Sequence, residues 1–222
     1  YHLSHPQLKL DSLTNRFAEH TAEYYGAPPA IHLVNGTRSF PGEGHLNDAE
    51  DLFKQGRDSV LASLRDGSDF TLELVGSIDG DRIAGTLTVT DTPNKKGTRV
   101  MPTVQLVLAE RGVLYPGTSK IVIQHMVARA SLLDSLEGVS FKPENGSMSL
   151  PFSRSLEEIT RNNLDYLKSK GPAGGVETFA TRMDPRQLTM VAFIRDGASK
   201  EILQAIQINP TLPNEDEAAP SK

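Results

Sequence analysis

The sequence predicts an α/β opening followed by an antiparallel β-sandwich with one inserted helix. Three observations carry that prediction. Apolar residues recur at helical spacing through residues 13–25 and again through 52–64. From Phe70 onward the apolar period drops to two. One further helical pattern then opens at Ser155, between strand patterns. The change of period near residues 66–68 divides the chain into an opening segment (1–66), a β-domain (67–210) and an acidic, proline-bearing tail (211–222) expected to be disordered.

Residues 1–6 are patterned like the end of a strand, so the chain is expected to continue upstream of Tyr1. Asp11 or Ser12 can cap a first helix running to about Tyr25, with Leu13, Phe17 and Tyr24 on its buried face. Gly26 stops it, and Pro28-Pro29 prevent its resumption. Ile31 to Val34 is a short strand, and Asn35-Gly36 is a strong turn signal because both residues accept positive φ. Residues 39–44 read as loop.

Asn47 can begin a second helix, with Glu50 completing a capping box. Leu52, Phe53, Val60, Leu61 and Leu64 form its apolar stripe, and Asp66-Gly67 ends it. Phe70, Leu72, Leu74 and Ile78 alternate with polar neighbours, Asp79-Gly80 turns, and Ile83, Leu87 and Val89 continue the alternation. Residues 100–110 and 121–130 are further strands. Ser155, with Glu158 three residues on, caps the inserted helix, whose apolar side is Leu156, Ile159, Leu164 and Leu167. Residues 188–194 and 202–208 form a last hairpin around Asp196 to Ser199.

Composition excludes several functions. A net charge of −5 with no clustered basic stripe gives no electrostatic case for nucleic acid. No apolar run approaches the roughly 20 residues of a membrane helix, so no membrane span is expected. The 222 residues include no cysteine, which removes disulfides, thiolate catalysis and cysteine-held zinc or iron–sulfur clusters from this chain.

The stretch Tyr24-Tyr25-Gly26-Ala27-Pro28-Pro29-Ala30-Ile31-His32-Leu33-Val34-Asn35-Gly36 resembles the cis-proline region of thioredoxin-like proteins. There, Gly-x-x-Pro leads into an apolar strand ending in Asn-Gly. Residues 47–65 are similar to the last helix of that fold. Tyr1-His2-Leu3 and Asp11-Ser12-Leu13-Thr14-Asn15 are similar to the strand and helix entry before it. Residues 104–117 (VQLVLAERGVLYPG), 125–130 (HMVARA) and 189–208 (TMVAFIRDGASKEILQAIQI) are similar to a narrower group. That group is the secreted thioredoxin-like proteins of planctomycete type with a C-terminal β-domain.

The resemblance implies a partial thioredoxin-like half, the C-terminal half of that fold, ahead of the sandwich. It implies an extracytoplasmic (periplasmic or secreted) location. It implies a cis proline at Pro28 or Pro29, shaping a substrate groove beside a Cys-x-x-Cys that would lie upstream of Tyr1. The strand end that reads Glu-Asp-Gly in the group is Glu110-Arg111-Gly112 here, so an acidic tip is not required.

The remaining candidates are weaker. His2 and His5 are spaced His-x-x-His, but an extended terminus points them to opposite faces, so no metal site is expected. His125 and Arg129 sit four apart on a predicted strand and should share a face. They are expected to form a buried polar pair, bonded to Glu110 or Tyr115, rather than an anion site. Asp48, Glu50, Asp51, Glu157 and Glu158 read as first-turn acids that suit the helix dipole. Gly42-Glu43-Gly44 reads as a flexible loop rather than an anion site. Phe17, Tyr24, Tyr25 and Phe53 are expected in the core of the opening segment.

Together these readings give a protein-binding or assembly module with a protein partner and no cofactor. A sheet edge left by an absent upstream strand would itself need a cover. The alternative is a thiol–disulfide oxidoreductase whose Cys-x-x-Cys lies upstream of Tyr1.

Overall fold

The computed structural model describes residues 13–26, 31–41, 48–64, 67–92, 102–115, 123–142, 145–170 and 182–213. The first helix, α1 (Arg16–Tyr25), starts later than the sequence suggests. Its cap is Asn15, whose side chain accepts from the Ala18 N–H at 2.9 Å, rather than Asp11 or Ser12. The reason is packing. Leu13 is drawn out of helical register into an apolar cluster with Val113, Tyr115 and Val127. Gly26 ends the helix in the left-handed region at φ 59°.

A hairpin follows, β1 (Ile31–Val34) and β2 (Arg38–Pro41), around the predicted Asn35-Gly36 turn. Both turn residues have positive φ, 51° and 74°. The loop expected from residue 39 is therefore a strand as far as Pro41. Helix α2 (Ala49–Ser63) lies on this hairpin, with Gly56 against the Phe40 ring and the Arg38 guanidinium donating to Ser59 O and Ser63 Oγ, each at 3.2 Å. Its N-cap is Asp48, which makes no side-chain capping bond; the predicted cap Asn47 lies outside the described residues.

The rest is a sandwich of two antiparallel sheets. One holds β3 (Phe70–Asp79), β4 (Arg82–Asp91) and β8 (Ser147–Ser155) in the order β3-β4-β8. The other holds β5 (Thr103–Leu114), β6 (Ile123–Ser131), β9 (Leu188–Arg195) and β10 (Ile202–Ile208) in the order β10-β9-β5-β6. A short β7 (Val139–Ser140) pairs with the start of β5. The β3–β4 turn falls one residue later than predicted, at Gly80-Asp81, because Asp79 pairs with Arg82.

The alternation read from the sequence is the core. Phe70, Leu72, Leu74 and Ile78 from β3 and Ile83, Leu87 and Val89 from β4 face Val104, Leu106 and Leu108 of β5 and Met190 of β9. Gly76 and Gly85 are direct cross-strand partners. A Cβ on Gly76 would stand 2.5 Å from Met190 Cε, and one on Gly85 2.7 Å from Phe152 Cζ. The glycine pair thus leaves the space those two side chains fill.

On one side the sandwich closes where β3 meets β10, with the Gln204 amide donating to Phe70 O at 3.2 Å. On the other, α3 (Leu156–Lys170) packs on both β8 and β6 and buries Leu156, Ile159 and Leu167. Ser155 caps it as expected, accepting from the Glu158 N–H at 2.9 Å. Asp81, from the β3–β4 turn, adds a second cap that the sequence did not signal. Its backbone carbonyl accepts from Leu156 N at 2.8 Å and its carboxylate from Glu157 N at 2.7 Å and Ser155 Oγ at 2.5 Å. The first residues of the expected tail are not frayed: Thr211 bridges to Ser77 of β3 in parallel, bonding Gly76 O and Ile78 N.

Candidate functional site

The predicted polar pair separates. Arg129 is buried and binds Glu110 through Nε at 2.8 Å and Nη2 at 2.6 Å, both to Oε2. The other carboxylate oxygen accepts from Asp184 N at 3.2 Å, and the Asn163 amide on α3 donates to Arg129 O at 3.0 Å. His125 instead lies exposed, with Nδ1 3.2 Å from Arg111 O. A β-bulge lies between the two: Ala109 pairs with Ala128 and Leu108 with Ala130, leaving Arg129 as the extra residue, while His125 pairs with Gly112 on the part of β6 that runs beyond the pairing of β9. The expected bond to Glu110 is present, and His125 takes no part in it.

Buried, charge-matched and bonded on every side, this node is a brace between β5, β6, α3 and the segment before β9. It has the chemistry of a structural pair rather than a reactive one.

A second polar cluster ties the opening segment to the sandwich. The Arg195 guanidinium lies 3.8 Å from the Tyr24 ring centroid, while its Nε and Nη2 donate to Thr103 Oγ1 at 3.0 Å and Glu137 O at 2.6 Å. Lys200 Nζ donates to Tyr24 O at 2.5 Å. The β1–β2 turn lies against the β9–β10 turn: Ile202 N donates to Asn35 O at 2.9 Å. A Cβ on Gly36 would stand 2.5 Å from Lys200 O and 2.7 Å from the Tyr25 ring. Tyr25 has its hydroxyl buried with no hydrogen bond among the described residues. Burial raises its pKa, and the neighbouring Arg195 charge only partly offsets that.

On its other side α1 is clamped to α3. Tyr166 and Lys170 both donate to Glu19 Oε2, Lys170 at 2.7 Å. The Glu19 bond holds the Lys170 pKa above its ordinary value. Asn15 adds a bond from its amide to Ala128 O of β6 at 2.7 Å. The sequence offered no sign of these junction contacts, because they join residues more than a hundred positions apart.

Helix α2 is different. No residue along it is buried. Phe53 is 70% exposed, Val60 45%, Leu61 47% and Leu64 75%. Phe53 was expected in the core, but Gly56, Ser59 and Ser63 are the positions turned to the hairpin; of the predicted stripe, half-buried Leu52 shares their face, and Phe53, Val60, Leu61 and Leu64 are exposed. Phe53, Arg57, Val60 and Leu64 follow i, i+4, i+7, i+11 spacing, the seam that one helix offers another. Arg57 at the seam is paired with Asp58 at 3.0 Å. Beside the helix, β1 pairs only with β2 among the described residues, so its other edge carries no partner strand. Pro28 and Pro29, the predicted groove residues, lie outside the described residues, as do His2, His5 and residues 42–44.

Among the described residues no three His, Asp or Glu side chains stand close enough to hold a metal. None of the helices there is long and apolar enough to cross a membrane.

No family model matches the sequence, and no curated protein matches it. Similar solved structures are found, and one with a TM-score above 0.5 shares its fold. HBP35 of Porphyromonas gingivalis superposes with a TM-score of 0.57 at 11% identity over 93% of this chain, which spans 62% of that protein's length. A domain of the outer membrane lipoprotein Omp28 from the same organism superposes with a TM-score of 0.40 at 14% identity, over 67% of this chain and 95% of that domain.

Proposed function

We propose that the chain is an extracytoplasmic, thioredoxin-like protein-binding or assembly module, and that α2 is its docking element. The observation that carries this is the exposed seam of α2: three apolar side chains, Phe53, Val60 and Leu64, 45–75% exposed, with Leu61 beside them, on a helix with no buried residue. Exposed apolar stripes of this kind mark interaction sites. Heptad-like spacing suits an amphipathic partner helix, with an acidic side chain opposite Arg57. The braced α1 supports the same reading, since it fixes the hairpin under α2 to a rigid body and presents the stripe in one orientation. The family resemblance supports an extracytoplasmic location.

The test is site-specific photo-crosslinking in the native host, with the reactive group at residue 53, 60 or 64 and, as control, at Gln55 or Asp58. One discrete adduct from the seam positions, lost on Phe53→Asp, is the expected result. No adduct, or equal adducts from the control positions, overturns it.

The second reading is a thiol–disulfide oxidoreductase with its Cys-x-x-Cys upstream of Tyr1. The helix–hairpin–helix order of the opening segment supports it. An upstream Cys-x-x-Cys in the native chain, with insulin-reducing activity lost on its replacement by serine, would establish it.

A further inference from the structure

Strands β5 and β6 run on beyond the rest of their sheet. β9 pairs with β5 only as far as Leu188 opposite Glu110, whereas β6 continues beside β5 to Ile123 opposite Leu114. The last part of β5, from Arg111, is thus one half of a two-stranded ribbon. Val113 on one face of that ribbon is covered, packing with Leu13, Tyr115 and Val127.

Among the described residues the other face is open. Leu114 and Ile123 stand directly opposite each other and are 68% and 47% exposed. Gly112 and exposed His125 form the next pair inward, and the glycine adds no side chain to fill the space. Met126, 42% exposed, follows His125 at a left-handed backbone position (φ 54°).

The charge at the base of the ribbon is positive. Arg111 Nη2 donates to Arg186 O at 2.6 Å, which brings the segment carrying Arg182 and Arg186 to the ribbon. Both of those arginines are exposed. Against them stands exposed Asp184; Glu110 is buried and neutralised by Arg129. A chain of net charge −5 therefore concentrates cations beside its most exposed apolar strand end.

We propose that this face of the ribbon is a peripheral membrane contact, with Leu114 and Ile123 entering the interface of an anionic lipid surface and Arg182 and Arg186 meeting its headgroups. A two-stranded overhang offers no groove for a peptide, and a protein partner would have to supply the pocket. A lipid interface takes up apolar groups without a preformed pocket, and its negative potential complements the arginines. The contact is separate from the α2 seam and does not depend on it.

The test is sedimentation of the full chain with vesicles of phosphatidylglycerol and phosphatidylcholine in equal parts, against vesicles of phosphatidylcholine alone. Binding to the anionic vesicles, weakened by salt, is expected. Leu114→Ser and Ile123→Ser should each lower the partition coefficient on the order of tenfold. Arg186→Gln should lower it about fivefold. Because the chain has no cysteine, Leu114→Cys also gives a single labelling site. An environment-sensitive dye there should shift to the blue on anionic vesicles, and the same dye at Ala198 in the β9–β10 turn should not. A chain that ignores anionic vesicles, as one with a protein-docking ribbon would, overturns the proposal. So does vesicle binding that survives Leu114→Ser and Ile123→Ser combined.

Discussion

Removing the Glu110 carboxylate strands the Arg129 guanidinium, which is 2% exposed, with both bonds to Oε2 gone. Breaking one partner of a buried pair costs about 3–5 kcal/mol, because the remaining charge stays desolvated. Glu110→Ala also frees the Asp184 N–H that bonds the second oxygen. For a chain of this size each kcal/mol moves the melting temperature by about 2–4 °C, so a fall of roughly 6–20 °C is expected. Arg129→Met should also destabilise, because it leaves the buried Glu110 carboxylate with the Asp184 N–H as its remaining bond among those to the brace. The double variant Glu110→Leu/Arg129→Met removes both charges and should recover most of the loss. Urea unfolding of all four proteins gives the coupling energy directly, provided the m-values agree. A Glu110→Ala variant that loses under about 1 kcal/mol, or a double variant whose loss equals the sum of the singles, would refute the brace.

Two further predictions follow from the junctions. The Ser155 hydroxyl, followed by the Glu157 N–H, holds the Asp81 pKa below its ordinary value. A depressed folded pKa means that Asp81 stabilises the fold above the unfolded carboxylate range and loses this as pH falls through the folded value. Asp81→Ala should therefore lower stability at neutral pH and flatten its decline on acidification; equal losses for the parent and variant on acidification would refute the cap. Gly36→Ala places a methyl 2.5 Å from Lys200 O at φ 74° and should cost about 1–3 kcal/mol, read by thermal melting, whereas an unchanged melt would mean that the two turns are not in contact.

Period and turn chemistry were legible where local signals decide the outcome. The β3–β4 alternation, the Asn35-Gly36 turn, the Ser155 cap and the β9–β10 hairpin all depend on residues a few positions apart. The misses share one cause: a tertiary contact overrode a local preference. Leu13 left the helix because the sandwich offered it a pocket. Residues 39–41 became strand because β1 needed a partner. Arg129 binds Glu110 without His125, which lies on the part of β6 that runs beyond the pairing of β9, and neither that end nor the bulge at Arg129 is visible in one strand's sequence. The α2 stripe misled in the opposite sense. Its pattern is right, but pattern alone cannot say which chain covers it.

That stripe sets the two ends of the molecule apart. Within the sandwich the buried charges Glu110, Arg129 and Arg195 are bonded across elements, Glu110 to Arg129 and Arg195 to Thr103 and Glu137 O, and Asp81 is bonded to α3. Around α1 the braces continue, to β6 through Asn15, to α3 through Glu19 and to β9 through Tyr24. They stop at the β1–β2 turn. Helix α2 rests on the two-stranded sheet beyond it, and a two-stranded sheet is marginal unless something packs on it. Covering the α2 seam and adding a strand to β1 would each stabilise this segment. A partner that binds there should therefore protect the β1, β2 and α2 amides from hydrogen exchange while leaving the sandwich amides unchanged.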